Sequence, residues 1–328
     1  MHDEYLENFR AGDPLAASRL MSIVERGGPP AQGVLDAVYP LTGAAHRIAV
    51  TGGTGAGKST LIDAFVARFR GAGERVGVVA EDPTSPLCGG AILGDRIRMQ
   101  SAVGDPGVFV RSIASRGGDT GFSTVAVDLA DVLDAFGCGI VLLETTGVGQ
   151  NEHRVRHAAD SVVVVLTPEA GDDVQGLKAG ILEIADVIAV NKRDRPGAEA
   201  FAADLADTLS MREPADGWSA RVVTTCATRG DGIGDVFAAI AAHENYLRAD
   251  GRRAKRRAEG LYERVRAIAL ARAAAALQHD AGATHRIVEA VRAIESGALT
   301  PWRAAATVVE ALWHDGDNTS NTDHEVIG

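Results

Sequence analysis

Two short patterns in this chain gather residue types suited to handling a nucleoside triphosphate. The first is Gly52-Gly53-Thr54-Gly55-Ala56-Gly57-Lys58-Ser59-Thr60, a GxxxxGK[ST] sequence placed between the strand-like residues 47–51 and a helical pattern. Glycines let such a loop turn its backbone N–H groups towards phosphates, and the following helix adds the partial positive charge of its N-terminus. A lysine at the position of Lys58 reaches the β- and γ-phosphates, and the Ser59 hydroxyl is a ligand for Mg²⁺. The second pattern is Asn191-Lys192-Arg193-Asp194, directly after the apolar run 187–190. The Asp194 carboxylate accepts from N1–H and the 2-amino group of guanine, a donor pair adenine lacks, while Asn191 braces loop and base. Alone, such a tetrapeptide is an ordinary solvated turn; downstream of a phosphate loop in the same sheet it selects GTP over ATP.

Three softer segments complete the candidate site. The run 140–143 ends in Glu144-Thr145-Thr146-Gly147, where nucleotide hydrolases place a second acid for the Mg²⁺ site and a backbone N–H, here that of Gly147, that senses the γ-phosphate. After the next strand upstream, Asp82 and Asp95 are placed to reach a metal-bound water or orient an attacking one, and Arg98 to meet phosphate charge. Cys226-Ala227-Thr228 follows the last strand, where a loop supports the base. The candidate catalytic set is therefore Lys58, Asp82, Asp95, Glu144 and Gly147, and the candidate Mg²⁺ set is Ser59, Asp82, Asp95 and Glu144. The nucleotide itself is contacted from Gly53 to Thr60, from Asn191, Lys192 and Asp194, and from 226–228.

The elements that must position these residues are legible as short β-branched runs, at 48–50, 76–79, 108–110, 140–143, 162–166, 187–190 and 222–225. Most are separated by helical stretches such as 59–69, 124–136 and 198–209, which predicts an α/β fold: a mostly parallel P-loop sheet covered by helices on both faces. Residues 1–43 form an N-terminal helical extension, with Asp13-Pro14 as a helix start and Leu15, Leu20, Ile23 and Val24 as its apolar stripe. The nucleotide-binding domain spans 44–240 and a C-terminal helical arm 241–315, in which 238–278 reads as one long helix or two, followed by helices at 285–294 and from 300 to before Gly316. The tail 316–328 lacks apolar periodicity and is expected to be disordered.

Composition limits the alternatives. With 33 Lys+Arg against 44 Asp+Glu the 328-residue chain carries a formal charge of −11, which argues against broad binding to nucleic acid. Arg252-Arg253-Ala254-Lys255-Arg256-Arg257 is basic, but Glu259 and Glu263 flank it, and the pattern predicts a solvated helix face with i,i+3 and i,i+4 pairs. Cys88, Cys138 and Cys226 are too few and too dispersed for a disulfide framework, the N-terminus carries acids where a secretory signal would not, and no run reaches membrane-spanning length. A cytoplasmic protein with no membrane partner is expected. His153 and His157 share a helix face without a third ligand at any evident spacing, and Trp302 and Trp313 are expected to pack the C-terminal helices or an interface between copies.

Four linked segments carry a closer resemblance: GGTGAGKST, EDPTSPLCGGAILGDRIRM, ETTGVGQNE and GDDVQGLKAGILEIADVIAVNKRD. Together they resemble the MeaB/ArgK family, the methylmalonyl-CoA mutase-associated GTPases of the SIMIBI class of P-loop GTPases, in which a Glu such as Glu144 replaces the usual Asp. The resemblance runs from about Asp13 to the C-terminal helices; Glu81, Cys88 and Thr146 depart from it, where Val, Thr and Val are expected. It implies a homodimer joined by the C-terminal arm, and a chaperone that gates delivery of adenosylcobalamin to methylmalonyl-CoA mutase or a related acyl-CoA mutase and protects that enzyme. It further implies a switch loop over 171–181 that reports nucleotide state, with Gln175 and Lys178, together with Arg98, facing the mutase. No residue stands out as an intrinsic arginine finger, so slow turnover of GTP to GDP and phosphate is expected without a partner. Metal delivery by a relative would call for His-rich or CxC ligands, which the sequence lacks. A transport-linked kinase would need a receiving side chain and a base, and no pattern identifies one. A scaffold that binds GTP without using it would tolerate Lys58→Ala.

Overall fold

The computed structural model describes residues 2–82, 101, 104–114, 123–145, 152–169, 179–211, 214, 217–279 and 281–319. Helices α1 (His2–Arg10), α2 (Pro14–Arg26) and α3 (Gly28–Val38) come first. Asp13 caps α2 by accepting from the Leu15 N–H at 2.9 Å, with Pro14 at the first helical position, where a missing N–H costs nothing. Leu20, Ile23 and Val24 are buried as the spacing predicts, whereas Leu15 is 58 % exposed, because Ala16 and Ala17 take the inward positions of the first turn.

Strands and helices then alternate: β1 (His46–Gly52), α4 (Lys58–Gly71), β2 (Val76–Asp82), β3 (Val108–Ala114), α5 (Thr124–Ala135), β4 (Ile140–Glu144), α6 (Glu152–Ala158), β5 (Ser161–Leu166), α7 (Ala179–Ile184), β6 (Val187–Val190), α8 (Ala198–Ser210), β7 (Arg221–Thr224) and α9 (Ile233–Arg248). Among the described residues the strands form one sheet in the order β3-β2-β4-β1-β5-β6-β7, with every neighbouring pair parallel. The inner strands β4, β5 and β6 are buried on both faces, which is why their runs are apolar without a break, whereas the edge strands β3 and β7 are largely half-buried. Ile48, Val50, Leu142 and Val163 pack with Leu61, Phe65 and Val236 on one face; Ala49, Leu143, Val164 and Ile188 pack with Leu20, Leu129 and Leu205 on the other. The N-terminal helices thus share the sheet's own core. The register pairs Val50 and Ala80 with Glu144, so the carboxyl ends of β1, β2 and β4 meet at one edge.

A 3₁₀ turn, Ala249–Gly251, ends α9; Asp250 and Gly251 have φ of 52° and 71°, and the expected stretch 238–278 is therefore two helices. After it come α10 (Arg252–His279), α11 (Ala281–Glu295) and α12 (Pro301–Thr319). The chain divides into two compact units, Met1–Tyr262 and Glu263–Gly328, and α9 packs on the sheet within the first. Helix α12 runs through Gly316, where the pattern predicted disorder; an interior glycine costs only about 1 kcal/mol against alanine and does not stop a helix. The rest of the tail, 320–328, lies outside the described residues. No helix among the described residues is long and apolar enough to cross a membrane.

The arginines of 252–257 do not form a solvated face. Arg256 is 7 % exposed and binds both carboxylate oxygens of Asp186, at 2.9 and 2.6 Å; Arg257 Nε reaches Asp160 Oδ1 at 2.7 Å, and Arg253 donates to Ala45 O at 2.6 Å. Asp160 and Asp186 stand immediately before β5 and β6, buried, and a buried carboxylate requires a counter-charge. Burial alone would raise the Asp160 pKa; Arg257, Arg253 and the Arg47 N–H hold it well below the usual carboxylate range instead.

Candidate functional site

The phosphate loop leaves β1 at Gly52 and enters α4 at Lys58. Gly57 has φ 96°, and a Cβ there would lie 2.3 Å from Asn191 Nδ2, so both the turn and the approach of Asn191 require glycine. Lys58 is buried, with Nζ donating to Gly52 O at 3.1 Å and Gly53 O at 3.2 Å, which folds the side chain back over the loop. Ser59 Oγ donates to Glu144 Oε1 at 2.7 Å. The hydroxyl and the buried carboxylate are thus adjacent, and both are hard oxygen donors of the kind Mg²⁺ takes, so the residues present fit that ion. Thr145 continues the contact, its Oγ1 donating to Thr51 Oγ1 at 2.9 Å.

Asn191 is 4 % exposed and bonds three ways. Its Nδ2 donates to Ala56 O at 2.8 Å; its Oδ1 accepts from the Ala227 N–H at 3.0 Å and from Thr225 Oγ1 at 3.3 Å. It therefore ties the phosphate loop to the 226–228 loop. Lys192 follows with φ 62°, a left-handed conformation uncommon outside glycine, and turns the chain so that Asp194 is exposed. Asp194 accepts from the Cys226 thiol, Sγ to Oδ1 3.3 Å, and its pKa is lowered by that hydrogen bond first and by Arg229 and Arg195 further off. The Cys226 sulfur also lies 3.5 Å from Thr228 Oγ1.

Gly53, Thr54, Gly55, Ala56, Gly57, Lys58, Ser59, Glu144, Asn191, Asp194 and 226–228 are thus gathered along the carboxyl edge of the sheet, with Thr60 in the first turn of α4. Asp82 ends β2, and only its backbone is described. Asp95, Arg98, Gly147, Gln175 and Lys178 lie outside the described residues. Glu81, noted in the sequence only as a departure, is buried and accepts from the Ser123 N–H at 2.8 Å, joining the end of β2 to the cap of α5. Burial raises its pKa, partly offset by the Ser123 hydrogen bonds. An acid at the end of a β-branched run was its only signal in sequence.

A parallel sheet in which one asparagine joins a phosphate loop to a guanine-reading loop is that of a P-loop GTPase. A family model described as "Methylmalonyl Co-A mutase-associated GTPase MeaB" matches residues 17–282, and the chain belongs to this family. A Pyrococcus horikoshii protein that carries a GTPase name is 40 % identical over 313 residues, covering 94 % of this chain and 98 % of its own. GTPase ArgK of Escherichia coli is 36 % identical, covering 76 % of this chain and 78 % of its own, and the mouse methylmalonic aciduria type A homolog is 30 % identical over 83 % of this chain and 66 % of its own. Among solved structures, one described as LAO/AO transport system kinase superposes with a TM-score of 0.71 at 27 % identity, over 95 % of this chain and 97 % of its own.

Proposed function

We propose that this MeaB-family GTPase hydrolyses Mg²⁺-bound GTP and uses the cycle as a chaperone for an adenosylcobalamin-dependent acyl-CoA mutase, gating cofactor delivery and protecting the enzyme. The GTPase chemistry is carried by the Asn191 brace, which positions phosphate and base loops together. Lys58 leaves Gly52 and Gly53 to meet the β- and γ-phosphates, and the loop amides take the remaining phosphate oxygens. Ser59 and Glu144 hold Mg²⁺, which neutralises charge on the phosphates when bound. Asp194, ionised and steadied by Cys226, accepts from guanine. The parts given to Asp82, Asp95 and Gly147 in hydrolysis follow from sequence position, and those given to Arg98, Gln175 and Lys178 towards the mutase from the family resemblance.

The mutase reading is supported by the description of the matching family and by the name of the mouse relative. A homodimer is supported by the C-terminal unit itself, where α11 and α12 pack on each other around Ala283, Ala304 and Val308 yet leave Val265, Leu270 and Trp302 at 65, 63 and 88 % exposure. The test is GTP hydrolysis by the purified chain with and without such a mutase, with ATP as control, and light scattering for the dimer. Turnover specific to GTP that rises with the mutase supports the reading. Intact turnover with no response to the mutase favours instead the phosphotransfer named for the structural relative, which labelled-phosphate transfer to co-purified protein would reveal.

A further inference from the structure

Glu144 is the last residue of β4, and the residue after it is tied down as closely as the acid itself. Thr145 donates its N–H to Val50 O at 3.2 Å and its hydroxyl to Thr51 Oγ1 at 2.9 Å. Both threonines are 2 % exposed. Side chains alternate across a strand, so Glu144 shares a face of the sheet with Leu142, and Thr51 shares the other with Ala49. On the first face, which packs with Leu61 and Phe65 of α4, Glu144 Oε1 accepts from Ser59 at 2.7 Å. On the second, Thr145 meets Thr51. The acid and its neighbour are thus bonded from opposite sides of the sheet.

Packing gives no reason for a hydroxyl at position 51. In register Thr51 stands beside Val164, a core residue of the same face, and valine has the same branched shape. A buried hydroxyl is unfavourable unless paired, and this one is paired with the residue that follows the acid. Thr51 also precedes Gly52, whose carbonyl accepts from Lys58 Nζ at 3.1 Å. One side chain therefore joins the strand that carries the phosphate loop to the strand that carries the acid, at the level where Lys58, Ser59 and Glu144 converge. We infer that, given Ser59 and Glu144 as the Mg²⁺ ligands of the GTPase reading, Thr51 is a positioning residue for that ion: its hydroxyl, through Thr145, holds Glu144 in place against Ser59.

Thr51→Val keeps the branched shape and removes the bond. With the full chain loaded one-to-one with a non-hydrolysable GTP analogue, Mn²⁺ stands in for Mg²⁺ and its binding is read by electron paramagnetic resonance. Losing a residue that orients a metal ligand directly costs about 10- to 100-fold in metal affinity; Thr51 acts through one more bond, so Mn²⁺ affinity should fall about 3- to 10-fold. GDP affinity in EDTA should stay within about twofold of wild type, and Thr51→Ser, which keeps the hydroxyl, should restore Mn²⁺ binding. Thr51→Val combined with Thr145→Val separates positioning from stability. With both hydroxyls gone none is left unpaired, so the urea midpoint returns towards wild type, while the tie to β1 is still missing and Mn²⁺ binding stays weak. The same double variant decides if Thr51→Val alone does not fold. Unchanged Mn²⁺ affinity in either folded variant, a matching loss of metal-free GDP affinity, or Mn²⁺ binding that recovers together with the urea midpoint overturns the inference. Ser59→Ala is the control: if it too leaves Mn²⁺ binding unchanged, the assignment of Ser59 and Glu144 to the metal falls, and the role of Thr51 with it.

Discussion

Replacing Asn191 by alanine separates the phosphate loop from the guanine side of the site in one step. Three hydrogen bonds are lost, to Ala56 O, the Ala227 N–H and Thr225 Oγ1. The hydroxyl of Thr225 can rotate to another acceptor; the two backbone groups cannot, and Ala56 is buried while Ala227 is half-buried. Leaving such groups unpaired costs about 1–3 kcal/mol each, and partial access to water sets the sum at about 2–3 kcal/mol. If the loops stay in place without nucleotide, the loss falls on folding stability; if they part, it falls on binding and raises the Kd for GDP about 30- to 150-fold. Fluorescence titration with GDP and urea unfolding of the nucleotide-free protein together account for both shares. Asn191→Asp refines the test, because it keeps the acceptor to Ala227 but sets a second oxygen against Ala56 O at the 2.8 Å now spanned by a donor. Burial and that carbonyl both raise the pKa of the new carboxyl, and its protonated form restores the donor. GDP affinity of Asn191→Asp should therefore improve as pH falls from about 8 to 6 while wild type stays level. Asn191→Ala within about threefold of wild type in GDP affinity and unchanged in unfolding would refute the brace.

Lys58→Ala removes a charged donor to the phosphates and should weaken GTP binding about 10- to 100-fold, read by competition with a fluorescent nucleotide. Ser59→Ala should raise the Mg²⁺ concentration for half-maximal hydrolysis while leaving metal-free GDP binding within about twofold, measured by Mg²⁺ titration of turnover. Arg256→Leu leaves Asp186 buried without its counter-charge and should cost about 3–5 kcal/mol in urea unfolding, with GDP still bound at saturating concentration. Asp160 has a folded pKa below its unfolded value, so its stabilisation is complete above about pH 4 and is lost as pH falls through the folded pKa. The acid limb of the stability profile should accordingly be flatter in Asp160→Asn, by thermal unfolding between about pH 2 and 5.

The nucleotide edge was legible because its chemistry fixes residue type and spacing together: a phosphate loop needs glycines before its lysine, and guanine needs an acid past an asparagine. The sheet was legible because strands buried on both faces must be apolar throughout. Gly251 and Gly260 show where local reading stops. Both interrupt one helical pattern, yet Gly251 takes φ 71° and ends a helix, while Gly260 stays helical because a carbonyl of α6 lies against it. Only tertiary contact separates them. The same holds for Arg253, Arg256 and Arg257: their flanking glutamates suggested local pairs, but the acids they bind stand far away in sequence, each a lone Asp before an apolar run. Glu81 was likewise unreadable, since its partner Ser123 lies beyond another strand.

Those aspartates also explain why a basic helix start belongs at the amino edge of this sheet. Where parallel strands begin, backbone N–H groups have no ladder partner, and each must be met by something else. Asp186 accepts from the Val162 N–H at 2.7 Å, Asp160 from the Arg47 N–H at 3.0 Å, and Asp134 from the N–H groups of Gly43, Ala44 and Ala45. Buried carboxylates close the edge, and Arg47 and the arginines of α10 neutralise them. The price of that closure is that the first turns of α10 cannot be separated from the sheet, and the end of α6 is gripped by them. The opposite edge is built on another principle. There the neutral side chain of Asn191 ties the phosphate loop to the 226–228 loop, Cys226 donates to the exposed Asp194 carboxylate, and the buried carboxylates of Glu144 and Glu81 accept from Ser59 and Ser123 rather than meeting arginines.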